Sequence, residues 1–154
     1  MSVVIQRARY EDLDTMVEMA RKLCAAARCE RWWAMSDSDV RALIEQGVHW
    51  SNPICSLVAF VDDVPVGCIV GAMRFNPMNN AVRFAQEIIM WVDSSQRGQG
   101  IGRKLVEAFV AWAKERGVDL VAVGYTHGCT DESVTGICDK LGFEPLETNY
   151  VRRL

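Results

Sequence analysis

The chain has no run of apolar residues long enough to cross a membrane, and its first nine residues lack the apolar segment of a secretion signal. Histidine occurs only at His49 and His127, and none of the six cysteines forms a C-x-x-C pair, so the usual ligands of a zinc site are missing. A formal net charge of -3 provides no overall basic surface for nucleic acid or an anionic membrane. We therefore expect a cytoplasmic protein with reduced thiols and without a metal, nucleic-acid or membrane partner.

The composition is that of a folded globular protein. Half of the residues are hydrophobic and 24% are charged, which argues against disorder. A chain of 154 residues is long enough to bury one hydrophobic core and needs no second domain. We expect a single domain over residues 1–154, and the sequence contains no internal repeats or low-complexity segments.

The stretch from Glu87 to Trp112 carries the strongest functional signal. Its apolar residues 88–92 are rich in β-branched and aromatic types and predict a buried strand, and a pattern with helical spacing begins near residue 101. Gly98, Gly100 and Gly102 lie between these two elements. Glycines allow a ligand to approach the backbone closely, and the free amides and positive dipole at a helix start attract anions. The pattern predicts a loop that binds a pyrophosphate.

Two other phosphate-binding loops do not fit this spacing. A dinucleotide loop needs G-x-G-x-x-G, but the position of the third glycine counted from Gly98 is Arg103. A P-loop needs a glycine five residues after the first one, and Arg103 stands there too. An ordinary glycine-rich connection between a strand and a helix remains the simpler alternative.

Periodicity and turn residues predict the element order β-α-α-β-β-β-α-β-α-β. Asp62-Asp63 marks a hairpin turn, a polar loop spans 76–80, and Gly117 and Gly142 end helices. The last strand region is interrupted by Pro145. The expected strands are 3–9, 54–61, 64–74, 83–92, 118–125 and 143–151, and the expected helices are 10–24, 37–46, 101–116 and 131–141.

The glycine loop and the end of the last helix resemble those of the GNAT superfamily of N-acetyltransferases. Residues 97–102, Arg-Gly-Gln-Gly-Ile-Gly, match the family's [Q/R]-x-x-G-x-[G/A] loop, and residues 140–143, Lys-Leu-Gly-Phe, resemble the sequence that closes its last helix. The order of elements is also similar over nearly the whole chain. The resemblance implies an α/β (α+β) fold in which a mixed, mostly antiparallel sheet is flanked by helices.

This resemblance implies that acetyl-CoA is the co-substrate. The pyrophosphate would bind the loop amides, and the strands ending at Val92 and beginning at Val118 would splay apart, so that the pantetheine arm pairs with the exposed backbone. A backbone amide beside the thioester would stabilise the oxyanion of the reaction. The residues implied in binding are Met90, Trp91, Val92, Arg97, Gly98, Gln99, Gly100, Ile101, Gly102 and Arg103.

The implied reaction is direct attack by a primary amine on acetyl-CoA, without a covalent enzyme intermediate. Because amines are protonated near neutral pH, a base is expected, and Glu87 is the first candidate on this strand. Strand alternation places Gln86 and Glu87 on opposite faces, and a bulge could exchange which of them faces the cleft. A solvated or structurally paired Glu87 is the alternative. Tyr125, His127 and Asp131 are reserve candidates at the end of the next strand.

Two positions depart from the family pattern. Cys138 stands where the family usually has a tyrosine, and that tyrosine protonates the departing CoA thiolate. Its thiol could do so, although a small buried residue with a packing role is the interpretation that its residue type favours. Asp131 replaces an asparagine and could cap the helix instead. Solvent, Tyr125 or Tyr150 could also supply the proton.

The acceptor remains open at this level. A small molecule or a peptide carrying the amine both fit, as does a donor with a larger acyl group, and a non-catalytic CoA-binding or regulatory module is the main alternative to an enzyme. The adjacent Trp32 and Trp33 predict either core packing or a lid over the sheet, with a wall of the acceptor pocket as the functional alternative. Acids such as Glu30, Asp37 and Asp39 could attract a cationic amine. The resemblance also allows a homodimer through exposed strands.

Overall fold

The fold is built on one five-stranded sheet in the order β1-β2-β3-β4-β5, with helices on both faces. The computed structural model describes residues 2–49, 53–126 and 131–154. The strands are β1 (Val3–Arg7), β2 (Ile54–Val61), β3 (Val64–Asn76), β4 (Asn79–Val92) and β5 (Leu120–Ala122). The helices are α1 (Leu13–Ala26), α2 (Asp37–Gln46), α3 (Ile101–Glu115) and α4 (Asp131–Lys140).

Neighbouring strands are antiparallel from β1 to β4, and β5 pairs in parallel with β4. The sheet is therefore mixed and mostly antiparallel, which confirms the predicted fold class. Asp62 and Asp63 both have positive φ angles, as the tight turn between β2 and β3 requires. The loop predicted over 76–80 is wrong, because β3 and β4 continue until only two residues separate them, and the Asn76 side chain accepts a hydrogen bond from the Met78 amide.

The sheet separates two hydrophobic cores. Helices α1 and α2 cover one face and α3 covers the other, so the central strands are buried on both sides. As the periodicity predicts, α3 points an apolar stripe at the sheet, and each side chain that it buries contributes about 1.5–3 kcal/mol. Its buried side chains include Ile101, Leu105, Phe109 and Trp112. On the solvent side, Arg103 forms the expected ion pair with Glu107 at 2.8 Å.

The predicted strand over 143–151 is wrong: the described residues after α4 form no strand. Pro145 cannot donate a ladder hydrogen bond, and the side chains of Leu146 and Tyr150 are exposed rather than packed on the sheet. The end of the chain instead runs to the segment between α1 and α2, where the Arg153 guanidinium donates to the carbonyls of Arg31 and Trp32. None of the helices in the described part of the chain has the length and apolarity that a membrane crossing requires.

Close packing between α3 and the sheet requires a glycine at position 71. A Cβ added there would lie 2.5 Å from the Phe109 ring and 2.8 Å from the Gln86 carbonyl oxygen. We therefore expect Gly71→Ala to lower the free energy of unfolding by about 1–3 kcal/mol, measured by denaturant titration. Gly136→Ala is the matched control, because a Cβ there meets nothing within 4 Å and alanine favours a helix by about 1 kcal/mol. Equal stabilities of the two variants would contradict this account of the packing.

Candidate active site

The glycine loop between β4 and α3 is open to solvent and shaped for a ligand. Gly98 and Gly100 have φ angles of +79° and +78°, which other L residues rarely adopt, and a Cβ at either position would meet nothing within 4 Å. Gly100 is the residue that caps α3. The space above both glycines is therefore free to be filled by a bound group. Gly102 differs, because a Cβ there would lie 3.1 Å from the Ile137 side chain of α4.

Backbone amides at the start of α3 are available as donors. The first hydrogen bond of the helix runs from the Lys104 amide to the Gly100 carbonyl, so the amides of residues 101–103 precede the helical ladder. Within the described residues, the amides from Gly98 to Arg103 have no hydrogen-bond acceptor, whereas that of Arg97 donates to Ser94. Several N–H groups and the positive end of the α3 dipole thus meet at one place. This arrangement can bind an anion such as a phosphate.

A network of side chains holds this loop to β4 and α1. The Arg97 Nε donates to the Val92 carbonyl at 3.0 Å, and its guanidinium carbon lies 4.7 Å from the centroid of the Trp91 ring. Trp91 donates through its indole nitrogen to Asp93 at 3.0 Å, and Lys22 on α1 pairs with the same carboxylate at 2.9 Å. Burial alone would raise the pKa of Asp93, but these two donors outweigh it and lower the pKa. These contacts tie the start of the loop to β4 and α1.

Strands β4 and β5 separate after a short contact. They pair only from Phe84–Leu120 to Gln86–Ala122, and beyond Gln86 β4 continues to Val92 with no strand on that side among the described residues. The backbone of Met90, Trp91 and Val92 therefore pairs with β3 alone. A polar, extended group could occupy the open edge of β4 and satisfy its amides and carbonyls.

A β-bulge lies at the point where the strands separate. Gly71 of β3 pairs with Glu87, but the next residue, Val70, pairs with Ile89, so Ile88 is the extra residue of β4. The structure thus contains the bulge that the sequence allowed as a way to change which of Gln86 and Glu87 faces the cleft. Gln86 turns to Arg74, with which it forms a hydrogen bond, and Glu87 faces the gap between β4 and β5.

Glu87 bridges the gap between the separated strands. Its carboxylate accepts a hydrogen bond from the Gly124 amide at 3.3 Å, just beyond the end of β5. Burial raises its pKa to about 7, and the Gly124 hydrogen bond offsets only part of that effect. The carboxyl group is thus close to half ionised at neutral pH. A carboxyl group with this pKa can accept a proton from a protonated amine or from a bound water.

Glu87 lies at a cavity of about 230 Å³ formed by α1, β4, the end of β5 and α4. Gly124, Tyr125 and Thr126 form its polar wall together with Glu87. The remaining wall is apolar and consists of Leu23, Ile88, Met90 and Val134. Of the residues predicted from the sequence, the structure thus brings Glu87, Met90 and Tyr125 together at one cavity. Another surface depression, near Arg9 and Phe60, lies at the β1 edge of the sheet.

Cys138 lies on α4 and is half-buried. Burial raises the pKa of its thiol, and the nearby carboxylates of Asp139 and Glu87 raise it further, so the thiol is protonated at neutral pH.

Tyr150 is 95% exposed, in the segment that follows α4. His127 lies outside the described residues. Asp131 is the first residue of α4, as expected for a helix start, and its side chain lies outside the described part of the structure.

The core-packing prediction for the tryptophan pair is wrong. Trp32 is 37% exposed and Trp33 is 56% exposed, and neither belongs to the described lining of the cavity. They follow a single 3-10 turn in which Cys29 is the buried residue, and Trp32 packs against Arg31 instead. Among the acids expected to attract a cationic substrate, Asp37 pairs with Arg21 at 2.5 Å.

Several side chains of the site were not predicted from the sequence. Lys22 reaches Asp93 across 71 residues of sequence, and no local pattern marks such a pair. Leu23 and Val134 line the cavity from helices whose apolar faces predict only core packing.

No metal site is found among the described residues. Nowhere in them do three or more His, Cys, Asp or Glu side chains form a group that could hold a metal ion.

Several solved structures that have a similar fold are acetyltransferases. The chain aligns over its full length with AAC(6')-Iy in complex with a bisubstrate analogue of CoA, with a TM-score of 0.77, 17% identity and coverage of 99% of that chain. A ribosomal-protein-alanine N-acetyltransferase from Brucella melitensis biovar Abortus 2308 gives a TM-score of 0.75 at 18% identity, covering 99% of each chain. A transcriptional regulator from Bacillus halodurans C-125 gives 0.77 at 24% identity, covering 99% of this chain and 100% of that one. At these identities the likeness establishes the fold alone.

Family membership rests on the sequence. Curated proteins give no significant sequence match. The model of the acetyltransferase (GNAT) family, however, matches residues 26–143, which is well over half of the chain and includes the glycine loop and Glu87. Members of this family transfer acetyl groups and use acetyl-CoA as co-substrate. The chain therefore belongs to the GNAT family and is an acyltransferase.

Proposed function

We propose that this protein transfers the acetyl group of acetyl-CoA to a primary amine by direct attack within a ternary complex. The observation that carries the proposal is the position of Glu87, whose pKa is about 7, at the cavity where β4 and β5 separate. From this point β4 leads to the glycine loop with its free amides, and Leu23, Ile88 and Val134 line the same cavity as Glu87. Donor and acceptor would both reach this carboxylate.

The donor would bind along the open edge of β4. The amides from Gly98 to Arg103 would hold the pyrophosphate, and the nearby Arg97 would add positive charge, whereas the Arg103 side chain would first have to leave Glu107. The backbone of Met90 and Val92 would pair with the amides of the pantetheine arm, in place of the strand that β5 does not supply. A β4 amide beside the thioester carbonyl would stabilise the negative oxygen that forms during attack.

Proton transfer would begin at Glu87. The ammonium of the acceptor loses a proton to the carboxylate, directly or through water, and the neutral nitrogen attacks the thioester carbon. The tetrahedral intermediate collapses by breaking the carbon–sulfur bond, and the CoA thiolate leaves and takes up a proton. Tyr125 lines the same cavity and is one source of that proton, and solvent is another. Cys138 is a weaker candidate, because it is not among the described residues that line this cavity.

We expect Glu87→Gln to lower kcat strongly and to remove the inflection near pH 7 from the pH–rate profile. The wild-type rate should fall as the pH drops through about 7, since the carboxyl group then becomes protonated and cannot accept a proton. Loss of a general base typically costs about 100- to 10,000-fold in rate. Release of CoA thiol from acetyl-CoA measures the rate, and calorimetry with CoA checks that donor binding is retained. A variant with the wild-type pH profile would remove Glu87 from the mechanism.

The same substitution should affect stability in a pH-dependent way. The pKa of Glu87 is raised in the folded state from its ordinary value of 4.5 to about 7. Ionisation of the carboxyl group therefore lowers the free energy of unfolding as the pH rises between these two values, and the full loss is present above about pH 7. Glu87→Gln should therefore raise Tm relative to the wild type above pH 7 and much less near pH 4. A gain of 1 kcal/mol corresponds to about 2–4 °C in a chain of this size. A difference in Tm that does not change with pH would mean that the carboxyl group is solvated.

Gly100→Asp should abolish binding of CoA at the glycine loop. Aspartate tolerates a positive φ better than most residues, and its side chain would fill the open space with a negative charge where the pyrophosphate is proposed to lie. We expect at least a 100-fold loss of affinity in titration calorimetry, roughly 2.7 kcal/mol. Gly100→Asn is the matched control of equal size without the charge, and it should lose less. Unchanged affinity in both variants would show that the loop does not hold the pyrophosphate.

A further inference from the structure

The Arg97 side chain is oriented at the start of the glycine loop by two contacts. Its Nε donates to the Val92 carbonyl, and its guanidinium carbon lies 4.7 Å from the centroid of the Trp91 ring. The part of the chain that the structure describes offers no hydrogen-bond acceptor to its outer nitrogens, Nη1 and Nη2. A planar guanidinium held in this way can donate its remaining N–H groups to the oxygens of a phosphate.

The support for Arg97 is the indole ring of Trp91. This ring is partly buried and packs against the hydrophobic core beneath α1 and α2. Its Nε1 donates to the Asp93 carboxylate at 3.0 Å, so the ring cannot turn without losing that hydrogen bond. An arginine is attracted to an aromatic ring placed in this way. The orientation of Arg97 therefore depends on how Trp91 is held, and Asp93 is one of the groups that hold it.

The charge of Asp93 is a disadvantage at this place. Burial would raise the pKa of its carboxyl group, but the hydrogen bonds from Trp91 and Lys22 lower it below its ordinary value, so the group is ionised at neutral pH. Arg97 is close enough for its own charge to contribute to this lowering. A carboxylate without a cation beside it would pull the guanidinium away from the ring and would also repel a phosphate.

Lys22 of α1 supplies that cation. Its Nζ lies 2.9 Å from Oδ1 of Asp93, the same oxygen that accepts the hydrogen bond from Trp91. The two charged side chains are 44% and 29% exposed, so water screens their attraction only in part. Because Lys22 offsets its charge, Asp93 can hold the indole ring without competing for Arg97.

We infer that Lys22 and Asp93 are positioning residues for the donor, which together hold Trp91 as the support from which Arg97 presents its outer nitrogens to a phosphate. This inference rests on the proposed binding of acetyl-CoA at the glycine loop. The donor carries a pyrophosphate and a 3′-phosphate, and the oxygens of both have the chemistry that a guanidinium binds. A residue of α1, far from the loop in sequence, thus contributes to donor affinity without touching the donor.

Lys22→Met leaves Asp93 without its cation and keeps the length of the side chain. We expect the affinity for CoA, measured by titration calorimetry at low ionic strength, to fall about 3- to 5-fold. The KM for acetyl-CoA should rise in parallel, whereas kcat at saturating acetyl-CoA should be retained, because the reacting groups at Glu87 are unchanged. Arg41→Met is the matched control. Arg41 is also 44% exposed and also pairs with an acid of α1, Asp14, and its loss should not change the affinity for CoA.

A second substitution tests whether the charge of Asp93 causes the loss. Asp93→Asn keeps an oxygen that can accept from Trp91 but removes the charge, so this single variant should bind CoA no more weakly than the wild type. The double variant Lys22→Met/Asp93→Asn should regain affinity to within about 2-fold of the wild type. If both residues served only to hold α1 against the sheet, both single variants would lose affinity and the double variant would lose at least as much.

Arg97→Lys tests the orientation of the guanidinium. Lysine keeps the charge but lacks the planar group that stacks on Trp91 and the Nε that binds Val92. We expect the affinity for CoA to fall about 10-fold, the effect of losing one hydrogen bond between charged groups. Dephospho-CoA, which lacks the 3′-phosphate, shows which phosphate is bound. The same loss with dephospho-CoA identifies the pyrophosphate, and a loss seen only with CoA identifies the 3′-phosphate.

Gly100→Asp separates this inference from the proposal on which it rests. If that variant loses CoA binding while Lys22→Met and Arg97→Lys bind as the wild type does, the inference is overturned and the donor site stands. A double variant no better than Lys22→Met would likewise overturn the positioning role of the pair. If Gly100→Asp, Lys22→Met and Arg97→Lys all bind CoA with wild-type affinity, the proposed donor site is wrong and this inference is wrong with it.

Discussion

The structure depends on the early end of pairing between β4 and β5. After three residue pairs the strands separate, and along the six further residues of β4 the backbone groups that point to that side have no partner in a described strand. Unpaired backbone groups at the centre of a fold are costly unless water or a ligand satisfies them. The glycine loop, Glu87 and the cavity all adjoin this open edge of β4. An open strand edge is therefore the feature around which the proposed donor and acceptor sites are arranged.

The parts of the site that local sequence determines were predictable. Three glycines between an apolar strand and an amphipathic helix require an open loop at a helix start, and the structure has it at Gly98 and Gly100. The apolar stripe of α3 follows from its period, and the exposed Arg103–Glu107 pair follows from its spacing. These features depend on neighbours within a few residues, so the sequence alone specifies them.

The predictions that were wrong or left open concern features that depend on contacts between residues far apart in the sequence. The residues before the end of the chain alternate enough to indicate a strand, but whether they pair depends on an available edge, and Arg153 binds the carbonyls after α1 instead. A tryptophan pair indicates burial, yet a short 3-10 turn leaves Trp32 and Trp33 exposed. The bulge at Ile88 decides which face Glu87 takes, and only the register with β3 reveals it. The raised pKa of Glu87 likewise arises from its surroundings, since burial is its largest cause.

The sheet keeps its two hydrophobic cores apart, and this has a consequence for how such proteins diverge. The core beneath α1 and α2 shares no buried residue with the core beneath α3, and changes at distant sites without shared neighbours combine nearly additively. Mutations in the core beneath α1 and α2 that keep the Lys22–Asp93 pair can therefore accumulate with little effect on the core beneath α3, the helix that follows the glycine loop. A lineage with this architecture can thus repack one side of its sheet while the helix behind the glycine loop keeps its contacts.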